Sequence, residues 1–136
     1  MELWKPITEY QSHILSGDYE VSNWGNVRNA KTNKNRALSD MRGYYKINLN
    51  DVNGKKVSIK IHRLVALYFL PKIKNYEQME VNHIDGNKRN NSFSNLEWVT
   101  HEENILAYQE EKRAEERFQY LRLKQQSFDF GESYNE

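Results

Sequence analysis

The sequence predicts an α+β protein: a small antiparallel β module, then a strand–loop–strand–helix unit, then a long C-terminal helix. Three observations carry this. Short segments before residue 61 alternate apolar and polar residues and are separated by Asn/Gly turns. Residues 79–104 run as strand, polar loop, strand and helix cap. Residues 105–126 read as one long helix with a strongly charged centre, Gln109 to Arg117.

The elements follow in order. Tyr19-Glu20-Val21-Ser22 alternates, Asn23-Trp24-Gly25-Asn26 supplies residues that tolerate a tight turn, and Val27-Arg28 starts the return strand. Lys31 to Arg36 has no period and reads as a loop tip. Gly43 to Leu49 alternates again, Asp51-Val52-Asn53-Gly54 turns, and Lys55 to Ile61 returns with Val57, Ile59 and Ile61 on one face and Lys56, Ser58 and Lys60 on the other. These strands are expected to form one small sheet with an apolar face and a basic, wet face. Leu64, Leu67 and Tyr68 have helical spacing, and Pro71 stops the helix. Trp4, Trp24 and most of the tyrosines are assigned to packing rather than to base stacking, because short strands need large side chains to build a core.

Met79 to Ile84 alternates as a strand, Asp85-Gly86-Asn87 turns, Lys88 to Asn95 is a polar loop, and Leu96 to Val99 is a second strand. Thr100 and Glu103 have capping-box spacing, so a helix begins there. Residues 105–126 read as one helix and 127–136 as a frayed end. Phe118 and Leu121, three apart on that helix, suit a homodimer contact, a protein partner or folding back on the sheet, and the alternative is a charged solvated helix. The expected division is 1–76, a β-rich module; 77–108, the strand–loop–strand–helix unit; and 109–136, the helix and tail.

Composition limits the chemistry. The 136 residues include no cysteine, 29% charged and 38% hydrophobic residues, so a disulfide framework, a thiolate metal site and a Cys nucleophile are excluded. A core this small favours a shallow polar site over a deep apolar pocket. No apolar run approaches the length of a membrane span, and no basic-then-apolar leader opens the chain, so a cytoplasmic protein that avoids membranes is expected. Net charge is only +1, yet residues 1–76 hold 13 Lys+Arg against 6 Asp+Glu, and residues 101–136 hold 5 against 9. A basic front half is the footprint of a polyanion binder, with Arg28, Lys46, Lys56, Lys60 and Arg63 as candidate phosphate contacts.

Within residues 79–104, Asn82, Asp85 and Asn104 offer hard oxygen donors, which suit Mg²⁺ or Mn²⁺. A neutral His83 beside a metal-bound phosphate can take a proton from water. Asn82 and His83 are neighbours, so they project to opposite sides of a strand unless it twists or ends there. Asn87, Asn90 and Asn91 are assigned to shaping the loop through local backbone bonds, His62 to supporting the sheet, and His101 to a helix surface.

Asn82-His83-Ile84-Asp85-Gly86-Asn87, Asn95-Leu96-Glu97-Trp98-Val99-Thr100 and Asn104 resemble the HNH nucleases, particularly phage and intron-encoded homing endonucleases. Trp4-Lys5-Pro6-Ile7, Tyr19 to Asn23, Gly25 to Arg28, Gly43-Tyr44-Tyr45 and His62 to Ala66 are similar to the NUMOD4-like module that often precedes them. The resemblance implies a ββα-metal nuclease that hydrolyses double-stranded DNA, one Mg²⁺ or Mn²⁺ ion per site, in a bacterial or phage-infected cell. It implies His83 as general base, Asn95 as the residue that bridges the loop and holds the histidine strand, and Asn82 and Asn104 as metal ligands. Asn82 departs from the family, which commonly has Asp or His there, so Asp85 stands as a second-ranked ligand. The rival expectation is a protein that keeps the fold and binds DNA or a protein without cleaving.

Overall fold

The structure is a computed structural model that describes residues 1–134, with side chains described as far as Gln125. The fold is α+β. Its chain order is β1 (Trp4–Pro6), β2 (Glu9–Tyr10), β3 (His13–Ile14), β4 (Tyr19–Ser22), β5 (Val27–Asn29), β6 (Ser39–Met41), β7 (Tyr44–Asn50), β8 (Lys56–Lys60), α1 (Ile61–Phe69), β9 (Glu80–His83), β10 (Leu96–Val99) and α2 (His101–Tyr134).

The β4–β5 turn forms where Asn23 to Asn26 predict it, with the Ser22 amide donating to the Asn26 carbonyl. Asp51 caps the β7–β8 turn, its Oδ1 accepting from the amides of Asn53 and Lys55. Along β8, Val57 and Ile59 are buried while Lys56, Ser58 and Lys60 are exposed, as the alternation requires. Lys46 faces Lys60 across the β7–β8 ladder, so both lie on the wet face.

The strands do not join into one sheet. They form β1-β4-β5 and β6-β7-β8, with β2-β3 and β9-β10 as separate two-stranded ribbons. The free edge of β5 is taken by the segment expected to be a loop tip, which folds back: the Asn29 amide donates to the Lys34 carbonyl and the Arg36 amide to the Val27 carbonyl. With that edge occupied, β7 cannot extend the first sheet.

Helix α1 buries Ile61, Leu64, Val65 and Ala66 and ends at the residue before Leu70 and Pro71. The same core takes in Val21 and Val27 of the first sheet, Ile47 and Ile59 of the second, and Val81 and Leu96 of the last ribbon. Residues 1–99 therefore form one compact unit and residues 100–136 another.

In the second unit, Thr100 Oγ1 accepts from the Glu103 amide at 3.1 Å, so α2 starts at its predicted cap. The helix continues to Tyr134, past the expected end at residue 126. Residues 135 and 136, the end of the expected frayed tail, lie outside the described residues. Phe118 and Leu121 are exposed, as are all the described residues from Ile105 to Gln125. No described helix is long and apolar enough to cross a membrane.

Candidate active site

His83 closes β9 opposite Leu96, and the strand keeps its alternation to the end. The imidazole is 6% exposed and points inward, whereas Asn82 lies on the other face opposite Glu97. The two neighbours thus stay on opposite faces, because nothing ends the strand between them.

Three groups surround the His83 ring. His62, the first-turn residue of α1, has its ring centroid 5.1 Å away, and Tyr44 of β7 lies 6.0 Å away. Asn91, from the polar loop, places Oδ1 2.8 Å from His83 Nε2. Burial, with smaller contributions from His83, Lys60 and Arg63, pushes the His62 imidazole down to about 4, so it is neutral beside His83 at physiological pH. His62 Nδ1 is buried without a hydrogen-bond partner among the described residues.

The loop is held by Asn95. Its Nδ2 donates to Asp85 Oδ1 and to the Asn90 carbonyl, both at 2.9 Å, and its Oδ1 accepts from the Asp85 amide at 3.0 Å. The Ile84 amide donates to the Asn95 carbonyl at 2.8 Å. This side chain thereby ties the residues just after His83 to the start of β10. Asp85 is absorbed by the same loop: Oδ2 accepts from Asn90 Nδ2, and Oδ1 also accepts from the Asn87 amide. Those donors, Asn90 foremost, hold its carboxyl below the ordinary value. Asp85 is therefore an exposed turn-former with both oxygens engaged by the loop.

The front half clamps the loop as well. Arg89 pairs with Asp40 and lies over the Tyr45 ring, and Lys88 Nζ sits 4.7 Å from the Tyr44 ring centroid. The Phe93 amide donates to the Asn23 carbonyl at 2.9 Å.

On the outer face, Asn82 Nδ2 donates to Glu97 Oε1 at 3.0 Å. The amide's oxygen and the adjacent carboxylate are hard donors whose chemistry fits Mg²⁺ or Mn²⁺, an ion that needs few protein ligands and retains water. No group of three or more His, Cys, Asp or Glu suited to a metal occurs among the described residues. Asn104 stands in the first turn of α2, its amide bonded to the Thr100 carbonyl.

The candidate cations separate into two kinds. Arg28 pairs with Glu20 at 2.9 Å and stacks over Trp4, and Arg63 donates to the carbonyls of Met79 and Glu77 and lies over Trp98. Both arginines expected to meet phosphates are engaged inside the unit. Lys56 and Lys60 are exposed, with Lys46 half-buried beside them. Trp24, expected in packing, is 50% exposed, because the tight turn turns its side chain outward.

Residues 60–106 match the model for the HNH endonuclease, and residues 2–50 match that for the NUMOD4 motif. The chain is similar to the HNH endonucleases over residues 60–106. Its relatives include the uncharacterized HNH endonuclease L245 of Acanthamoeba polyphaga mimivirus, 41% identical over 72% of this chain and 29% of the relative. The DNA endonuclease I-HmuI of Bacillus phage SP01 is 41% identical over 75% of this chain and 55% of its own length. The chain thus spans roughly a third to a half of these relatives. The solved structure describing DNA binding and cleavage by I-HmuI superimposes with a TM-score of 0.64 at 35% identity, over 81% of this chain and 59% of that one.

Two further residues touch the candidate site residues. Asn91, which its sequence context assigns to loop shaping, is 4% exposed and bonds to His83 instead. Glu97 carries a signal in retrospect, since it sits in the strand register that pairs with position 82.

Proposed function

We propose that this protein is a divalent-metal-dependent endonuclease that hydrolyses phosphodiester bonds in double-stranded DNA and nicks one strand per active site. The observation that supports this reading best is the buried His83 imidazole, held at Nε2 by Asn91 within a loop tied by Asn95.

In this reading His83 takes a proton from the attacking water, and the phosphodiester opens to a 5′ phosphate and a 3′ hydroxyl. Asn95 keeps the histidine strand and loop in register while charge develops. Asn82 and Asn104 are the residues that would hold the ion, with Glu97 adding negative charge beside Asn82. When bound, Mg²⁺ or Mn²⁺ supplies Lewis-acid stabilisation of the phosphoryl oxygens. Lys56 and Lys60, with Lys46, lie on the wet face of β7–β8 and contact backbone phosphates without reading sequence. The modules act in order along the chain, a DNA-gripping NUMOD4 region and then the nuclease region, in the cytoplasm of a bacterial or phage-infected cell, where a chain without cysteine needs no oxidising environment. The homodimer or protein partner suggested for α2 is supported by no contact among the described residues.

A second reading is favoured by one observation: position 82 is a neutral amide already bonded to Glu97. If its affinity for the ion is too low, the same surface binds DNA or a protein without cutting it, as a regulator would.

The deciding experiment is supercoiled plasmid incubated with the purified protein and Mg²⁺ or Mn²⁺, beside EDTA and His83→Ala controls. Conversion to open circles that both controls abolish supports the nickase. DNA retardation without nicking, together with no calorimetric binding of either ion, supports the regulator.

A further inference from the structure

Asn91 is a carboxamide in an unusual position. Its Oδ1 lies 2.8 Å from His83 Nε2, and the two side chains are 4% and 6% exposed, so water does not compete for the contact. An amide oxygen only accepts hydrogen bonds. The ring nitrogen facing it must carry the proton, and a neutral imidazole has only one, so Nδ1 keeps its lone pair.

Asn91 is backed by the N-terminal region. Gly25 has φ +87°, and a β carbon placed there would stand 2.8 Å from Asn91 Cβ and 3.3 Å from the Asn91 carbonyl oxygen. Only glycine satisfies both the left-handed backbone and the close approach. The turn that carries Gly25 is stiff: Ser22 Oγ accepts from the amides of Trp24 and Asn26, and the Gly25 amide donates to the Ser22 carbonyl. Two residues beyond Asn91, the Phe93 amide is bonded to the Asn23 carbonyl, which fixes the loop against the same turn.

We propose that Asn91 is the positioning residue of His83: it holds the ring in the Nε2–H tautomer, leaves Nδ1 as the atom that accepts the water proton, and is itself seated by Gly25 of the N-terminal turn. This rests on the reading of His83 as general base and specifies how the base is set. In the step, an O–H bond of water breaks and an Nδ1–H bond forms, the hydroxide oxygen bonds to phosphorus as the P–O3′ bond breaks, and the departing 3′ oxygen takes a proton from solvent water. The positive charge gained by the ring strengthens its Nε2–H bond to Asn91. The N-terminal motif thereby acts on the chemistry, not only on DNA grip.

Long-range ¹H–¹⁵N correlation of the histidine rings, in mildly alkaline buffer and with His83 identified by the signals lost in His83→Gln, tests this on the unmutated protein. The Nε2–H tautomer is expected; the Nδ1–H tautomer overturns the proposal whether or not any variant folds. Asn91→Leu keeps the shape and removes the acceptor. It should lose the single tautomer and lower kcat for nicking about 10- to 100-fold, with KM for DNA and Mg²⁺ affinity unchanged within about twofold. Asn91→Asp, which restores an acceptor, should recover the tautomer, and Gly25→Ala should blur it by displacing Asn91. Wild-type tautomer and kcat in Asn91→Leu would overturn the proposal. A wild-type protein that does not nick, yet shows the Asn91-dependent Nε2–H ring, would overturn the endonuclease reading and the catalytic purpose of the contact, but not the tautomer assignment.

Discussion

The two faces of the β9–β10 ribbon are built to different standards. On the inner face His83 is bonded by Asn91 and flanked by His62 and Tyr44, and the loop that follows is crossed by the bonds of Asn95. On the outer face the cross-strand pair Asn82 and Glu97 share one exposed hydrogen bond. Buried polar groups must find partners or cost about 1–3 kcal/mol each, so the inner face has essentially one arrangement. Exposed pairs are solvated in any arrangement and contribute little. The fold therefore specifies the surroundings of His83 closely and leaves the Asn82 side adjustable, and position 82 is where this chain departs from the pattern of the nucleases it resembles.

The largest expected effect breaks the inner face at its centre. His83→Ala should lower the nicking rate by about 10²- to 10⁴-fold while circular dichroism stays that of the folded protein. Plasmid nicked at the wild-type rate would remove the imidazole from the mechanism.

His62 gives the inner face a pH signature. Its folded pKa, about 4, lies below the ordinary 6.5, so the unfolded chain binds more protons between those values. Stability is fully present above about pH 6.5 and is lost as pH falls toward 4, by up to about 3 kcal/mol. Urea unfolding across that range checks the slope, and His62→Phe should flatten it. Asp85, whose carboxyl is also held low, adds a loss only at more acidic pH.

Asn95→Ala leaves the Asp85 amide and the Asn90 carbonyl without their partner and should cost about 2 kcal/mol in urea unfolding. An unchanged midpoint would mean that water replaces the bridge. Sharpening the outer face is a smaller change: Asn82→Asp restores a charged ligand, and calorimetry should find Mg²⁺ bound about tenfold more tightly, a difference near 1.4 kcal/mol. Smallest are the surface cations. Lys56→Ala and Lys60→Ala should each reduce the salt slope of DNA binding by about one and leave stability unchanged. Arg63→Ala should do the reverse, destabilising the protein without altering the slope, because its guanidinium serves Met79 and Glu77.

What the amino-acid sequence determined by itself is local. The Asn23–Asn26 and Asp51–Gly54 turns, the buried and exposed faces of β8, the end of α1 before Pro71 and the Thr100 cap each depend on residues within a few positions of one another. Backbone and side-chain preferences at that range are the same before and after folding. The polar loop and the spacing of Asn82, His83, Asn95 and Asn104 were legible for the same reason. Only the tertiary structure decided which polar groups are consumed internally. Arg28 and Arg63 look like any phosphate-seeking cations until Glu20 and two distant carbonyls are brought to them. Asn91 looks like any loop asparagine until β9 delivers His83 to one side and the N-terminal turn delivers Gly25 to the other. The folding back of residues 34–36 on β5, which splits the sheets, is a competition for one strand edge between two segments of similar propensity. Burial is a property of the assembled chain, so a polar residue's partner is unknown until the elements that enclose it have packed.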